Sequence, residues 1–251
     1  MKKSISFFLI AAITPFWTNT FARENDAFKE PAKEWLSNSR PLGFQENKGQ
    51  MAGTDNKPAP YVLFKAQTPN LNIWVTTSGL SYQFFKKEKE GSDEKEGMRK
   101  KPHIPFEEAQ EVGSGEWQRV DMVLKGANIN KENITTEGDL THGDVNYYLG
   151  HCPDGIFKVK TYKKVIIKEV YPGIDWVLYT SPSTVTGGLL KHEFVVHPHA
   201  NPDQIKLIYE GKGKLDVENN QIYFENELGK INEEKLLCYQ GNESNAVRSK
   251  Y

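Results

Sequence analysis

The run His192-Glu193-Phe194-Val195-Val196-His197-Pro198-His199 comes nearer to chemistry than any other part of this sequence. Two imidazoles around a carboxylate suggest a zinc-protease signature, in which two histidines four apart on a helix hold one metal while the intervening glutamate activates water. Here the two histidines are five apart, and the Phe-Val-Val insert favours a strand. On a strand, residues five apart point to opposite faces. The run therefore reads as structural or surface histidines, with metal ligation by His192, His197 and His199 the disfavoured alternative. His197 and His199 have the parity to share a face, but Pro198 between them marks a strand end.

Other routes to catalysis leave fewer traces. Gly113-Ser114-Gly115 is no nucleophile elbow, because it lies in a charged loop rather than on a strand-to-helix turn. Neither a phosphate-cradling Gly-x-x-x-x-Gly-Lys-Ser/Thr loop nor a dinucleotide fingerprint occurs, so no cofactor and no catalytic residue is assigned. Paired carboxylates for glycoside hydrolysis stay open, since 33 acidic residues permit many pairs and only geometry discriminates among them. Trp74, Trp117, Trp176 and eleven tyrosines are read mainly as core filling, although an exposed aromatic cluster would make a platform for sugar rings. The formal net charge of −1 gives no reason to expect nucleic acid as a partner. Sequons at Asn133 and Asn242 matter only in a host that glycosylates them.

The elements that must position these groups are strands. Tyr61–Phe64, Leu71–Thr77, Leu80–Phe85 and a run from Trp117 to Lys125 alternate apolar and polar residues. Val145–Leu149, Phe157–Val170, Ile174–Tyr179, Leu189–Val196, Gln204–Tyr209, Leu215–Val217, Ile222–Phe224 and Lys235–Tyr239 continue the series. Ser78-Gly79 predicts a hairpin turn, Asn219-Asn220 a two-residue turn with positive φ at both positions, and Pro172-Gly173 the centre of a type II turn. Helical periodicity is nearly absent. The reading is an all-β, antiparallel β-sandwich, large enough for two packed sub-sandwiches, spanning residues 41–251. Within it, the mixed-charge stretch 86–116 cannot bury enough apolar surface to order itself, and it is read as a mobile loop.

Residues 1–22 read as a secretory signal: Lys2 and Lys3, the apolar run Phe7–Ile13, then Thr20-Phe21-Ala22 with cleavage after Ala22. The apolar core is too short to span a bilayer, so the mature chain is expected to have no membrane span. Residues 23–40 form a polar leader with one short helical candidate, Glu30 to Leu36. An exported chain permits a disulfide between its two cysteines, Cys152 and Cys238, but does not require one, and an inward-facing Cys238 serves as a small buried hydrophobe.

Five motifs in order carry a resemblance: Phe44-Gln45-Glu46-Asn47-Lys48-Gly49-Gln50, Val145-Asn146-Tyr147-Tyr148-Leu149-Gly150, Tyr171-Pro172-Gly173-Ile174-Asp175, Phe194-Val195-Val196 with Pro198, Ala200, Pro202 and Ile205, and Tyr209-Glu210-Gly211. Together they resemble a domain of unknown function at the N-terminus of exported bacterial proteins that carry β-propeller (SBBP) repeats or gliding-motility-associated modules. The resemblance implies a β-rich extracellular or surface module with no catalytic residues to carry over. It also implies further strands and repeats beyond Tyr251, so the chain is expected to be either a stand-alone member or the head of a longer protein. The function expected is a non-catalytic module acting in cell-surface interaction or within a larger envelope or adhesion protein, with a surface protein or glycan as partner. A carbohydrate-binding or glycoside-processing domain is the alternative.

Overall fold

Alternation of apolar and polar residues over five to nine positions gives each segment one face to bury, and two such faces bury each other. In the computed structural model the described residues are 5–12, 42–53, 57–68, 71–86, 116–180, 188–234, 236–240 and 246–247. Cleavage after Ala22, the leader at 23–40 and all but the ends of the charged loop at 86–116 lie outside them.

The strands are β1 (Ile5–Ala12), β2 (Phe44–Glu46), β3 (Val62–Thr68), β4 (Leu71–Thr76), β5 (Gly79–Lys86) and β6 (Glu116–Leu124). Next come β7 (Ile134–Asp139), β8 (Tyr147–Leu149), β9 (Cys152–Ile156), β10 (Thr161–Tyr171), β11 (Ile174–Thr180) and β12 (Gly188–Val196). The series closes with β13 (Leu207–Gly211), β14 (Lys214–Glu218), β15 (Gln221–Glu225), β16 (Lys230–Glu233), β17 (Leu237–Gln240) and β18 (Ala246–Val247). Sixteen of them form one sheet in the order β13-β6-β5-β4-β3-β2-β10-β11-β12-β1-β16-β15-β14, with β7 on β10 and the pair β17-β18 beside β1. β8 and β9 make a separate hairpin.

Every pairing between these strands is antiparallel. The sheet curls until its two ends meet, and Tyr209 on β13 stacks on Phe224 on β15 with ring centroids 6.2 Å apart. Between the facing halves lies one core, drawn from alternate residues: Ile73 and Val75, Leu80 and Tyr82, Val120 and Met122, Trp176 and Leu178, Leu190 and Phe194, Phe224 and Ile231. A smaller cluster, Met51, Ala59 and Val62 with Trp74, packs on the outside of β3 and β4. The fold is the expected all-β antiparallel sandwich, built from one continuous sheet rather than two sub-sandwiches.

Two of the three turns form where their residues require. Asn219 and Asn220 have φ of 52° and 63° between the paired Glu218 and Gln221, and Gly173 has φ of 72° between Tyr171 and Ile174. The third lies one residue earlier than Ser78-Gly79 predicts, because Gly79 pairs with Thr76 and belongs to the strand. Gly79 is needed for proximity: a Cβ there would sit 2.1 Å from the Met122 carbonyl oxygen of β6. Strands β7 and β16 escape the sequence reading, since Ile-Thr-Thr-Glu-Gly-Asp and Lys-Ile-Asn-Glu carry too few apolar residues to register as alternation.

Candidate functional site

His192 and His197 part company, as five-residue spacing on a strand requires. The even positions of β12, Leu190, His192, Phe194 and Val196, all point into the core. His197, just beyond the strand, has the opposite parity and places its Nε2 3.1 Å from Oδ2 of Asp175. His199 is exposed, at a φ of 71°. The run thus never assembles as one site, and among the described residues no group of three or more His, Cys, Asp or Glu side chains could hold a metal.

What His192 does join is a buried polar cluster that the sequence did not advertise. Trp176 Nε1 on β11 donates to His192 Nδ1 at 3.1 Å. An indole N–H can only donate, so Nδ1 accepts and the ring proton sits on Nε2. That N–H points at Oε2 of Glu233 on β16, 3.3 Å away, and the Tyr209 hydroxyl on β13 donates to Oε1 of the same carboxylate. Trp176 stacks on Phe194 at 6.1 Å, while His192 meets both rings edge-on. Tyr82 of β5 completes the surround. Burial pushes its hydroxyl well above the usual tyrosine range, with the Glu233 charge adding to the effect. Imidazole, carboxylate and phenol are the parts of a general acid–base set. Yet His192 and Glu233 are both 0% exposed. The cluster ties β11 and β12 to β13 and β16 across the sandwich, which fixes how its two halves register. One sequence signal was available: Glu233 shares the inward parity of Ile231, an odd place for a carboxylate.

Asp175 organises the turn of the Tyr-Pro-Gly-Ile-Asp motif. Its Oδ1 accepts the Glu169 backbone N–H at 2.9 Å, and its Oδ2 accepts from Lys168 Nζ at 2.8 Å. Glu169 adopts a φ of 50° where the β10–β11 register shifts, and its own carboxylate accepts the Gly173 N–H at 2.8 Å. Burial raises the Asp175 carboxyl, but hydrogen bonds from Lys168, the Glu169 amide and His197, with the Lys168 charge, outweigh it and hold the group below the usual range. These residues do structural work around a bulge.

A third constellation lies on the outer face. Gln45, Lys65 and Trp74 pair laterally across β2, β3 and β4. Lys65 Nζ rests 4.9 Å from the centre of the Trp74 ring, although the residue is only 8% exposed. Burial lowers its ammonium to about 8, and no carboxylate partners it among the described residues. Beside it opens a cleft of about 200 Å³ whose polar lining is Gln45, Lys65, Gln67, Thr141, His142 and Thr161. The Gln45 carbonyl oxygen already accepts from the Tyr147 hydroxyl at 2.9 Å, which leaves its amide N–H groups to donate. His142 Nδ1 is held by the Leu140 carbonyl at 2.8 Å, so its free nitrogen is Nε2.

The remaining candidates scatter. Trp176 is core and Trp117 is exposed on β6, while Tyr148 and Phe157 form an exposed edge-to-face pair, 5.6 Å apart, on the β8–β9 hairpin. Cys152 lies half-buried on that hairpin and Cys238 lies buried in β17, and no disulfide joins them. Among the described residues no helix is long and apolar enough to cross a membrane. A family model described as a domain of unknown function (DUF7948) matches residues 44–251. No curated protein and no solved structure matches the chain.

Proposed function

The chain belongs to the DUF7948 family, a domain of unknown function, and we propose that it is an exported, non-catalytic β-sandwich module acting in cell-surface interaction or as the N-terminal part of a larger envelope protein. The observation that carries the non-catalytic part is the complete burial of His192 and Glu233. With β1 in place, the set of His192, Glu233 and Tyr209 is spent on holding the sandwich together, and its imidazole and carboxylate are out of reach of any substrate in solvent. Export rests on the Lys2-Lys3, Phe7–Ile13 and Thr20-Phe21-Ala22 pattern. The test is expression of the full chain in a bacterial host, followed by fractionation and surface proteolysis. The product should leave the cytoplasm and show no turnover on ester, peptide and polysaccharide panels. Retention in the cytoplasm would sink the export half, and turnover abolished by substitution of any surface carboxylate would sink the other.

A second reading, carbohydrate binding, is favoured by the cleft beside Lys65. Amide and hydroxyl groups line it instead of paired carboxylates, which suits holding a sugar rather than cleaving it. A buried ammonium without a counter-ion among the described residues selects for an acidic sugar, because a ligand carboxylate would supply the charge. Titration with uronate oligosaccharides against neutral ones of equal length checks this: equal affinity for both would reject it.

A further inference from the structure

Among the described strands, β1 alone is built from residues that the export reading removes. It is not peripheral. Along one side it pairs with β12, from Ile5 opposite Val196 to Ala12 opposite Gly188. Along the other it pairs with β17, from Ile5 opposite Gln240 to Phe8 opposite Leu237, and then with β16 through Ala11 opposite Glu233 and Ala12 opposite Asn232. In the strand order it is the link between β12 and the β16-β15-β14 group. Cleavage after Ala22 would release all eight of its residues and leave a strand-wide slot with unpaired backbone groups on both walls. A bare pair of edges of that length is a template for another chain.

The walls also specify what fits. The inward positions of β12, Leu190, His192, Phe194 and Val196, are all buried. The residues paired with them in β1 are Ala11, Leu9, Phe7 and Ile5, apolar at every position. The slot therefore calls for an extended segment of about eight residues with apolar side chains at alternate positions. It runs along the buried cluster too, since Leu9 pairs with His192 and Ala11 with Glu233. An empty slot would bring water to a carboxylate that the rest of the sandwich keeps dry.

We propose that the channel between β12 and β16–β17 is a strand-acceptor site: in the mature protein an extended apolar strand donated by a partner polypeptide takes the place held here by residues 5–12, antiparallel to β12. The donor is recognised by main-chain pairing plus an apolar residue opposite each of Leu190, His192, Phe194 and Val196. This inference rests on the export reading, because the slot opens only if the leader is removed.

The experiment uses the exported product of the full chain. Its mass is measured first, to establish whether residues 1–22 are gone. A fluorescent peptide carrying residues 5–12 between solubilising lysines is then titrated against it, beside a version N-methylated at alternate amides. Methylation removes ladder donors while leaving the side chains and the protein untouched, so misfolding of a variant cannot cloud the result. The expected result is one peptide per chain, a raised Tm on binding, and affinity at least tenfold weaker for the methylated peptide. A second peptide with Leu9→Asp should also lose at least tenfold. Equal binding of native and methylated peptides, or no binding to a cleaved product, overturns the slot while export stands. An exported product that retains residues 1–22 also overturns the slot alone, since β1 is then a permanent strand. A product that never leaves the cytoplasm overturns the export reading, and the inference falls with it.

Discussion

Glu233 offers the sharpest test of the claim that the buried cluster holds the sandwich in register. Replacing it with alanine removes the acceptor of two donors, the Tyr209 hydroxyl and the Nε2–H of His192. Removing the acceptor of a buried donor costs about 1–3 kcal/mol. The lost carboxylate gives some of this back, because its charge no longer lies near Tyr82. A net loss of about 2–4 kcal/mol is expected, which for a domain of this size lowers Tm by roughly 4–16 °C. Glu233→Gln should cost less, about 1–2 kcal/mol. It keeps one acceptor oxygen, but its amide N–H₂ takes the other position, so either the Nε2–H of His192 or the Tyr209 hydroxyl proton loses its acceptor. Urea unfolding followed by circular dichroism reads both values, provided the m-value is unchanged. A cost below about 1 kcal/mol for the alanine variant, or equal costs for alanine and glutamine, would refute the reasoning. Trp176→Phe combined with Glu233→Gln supplies a cross-check: both act through His192, so their effects should fall short of additive.

Three further outcomes are expected. Asp175→Asn should cost about 1.5–3 kcal/mol at neutral pH through weakened charge-assisted hydrogen bonds; because the folded carboxyl lies below its unfolded value of about 3.9, the gap to wild type should shrink as pH falls through that lowered value, in urea titrations from pH 7 to pH 2. Gly79→Ala should destabilise by at least about 2 kcal/mol, since its Cβ meets the Met122 carbonyl oxygen, whereas Asn219→Gly, where φ is already positive, should change thermal stability by less than about 0.5 kcal/mol. Lys65 binds its proton less tightly in the fold, at about 8 against 10.5 unfolded; wild-type stability should therefore rise between about pH 8 and pH 10, and Lys65→Met should both stabilise the protein at pH 7 and flatten that rise.

How much of this could be read from the chain depended on how local each cause was. The Asn219-Asn220 and Pro172-Gly173 turns could be read because their backbone geometry is set by the residues themselves. The opposite facing of His192 and His197 followed from strand parity alone. Glu233, Tyr209 and Trp176 were not visible as partners, since the contacts join residues 16 to 41 positions apart through sheet curvature that no local pattern encodes. The hairpin turn beside Gly79 was misplaced by one residue for a similar reason, because the carbonyl that demands a glycine belongs to β6. Ile5–Ala12 shows the limit of composition. A short apolar run meets the needs of a signal core and of a strand paired on both sides, and its residues alone do not separate the two.

The distribution of polar groups between the two faces of the sheet bears on where recognition would occur. On the inner face, Trp176, His192, Tyr209 and Glu233 satisfy one another, while among the described residues the Tyr82 hydroxyl and, at the sheet's margin, Gln118 Oε1 find no partner. On the outer face of β3 to β5 the pattern is less complete. Asn72 is 6% exposed, donates one long bond of 3.4 Å to Gln83, and leaves Oδ1 with no partner. Its lateral neighbour Gln67 lines the cleft, and Lys65, two residues along the same strand face, is a buried cation without a counter-ion among the described residues. Each costs free energy in the isolated domain, because a buried polar atom or charge is unfavourable without a partner. A sandwich that needed only stability would carry apolar or paired residues there. Unmet hydrogen bonds and charge on one face, beside an open cleft, are what a recognition surface keeps for its ligand at some expense in stability. That asymmetry makes β3 to β5, rather than the more conspicuous histidine run, the place where a loss-of-binding substitution should be sought.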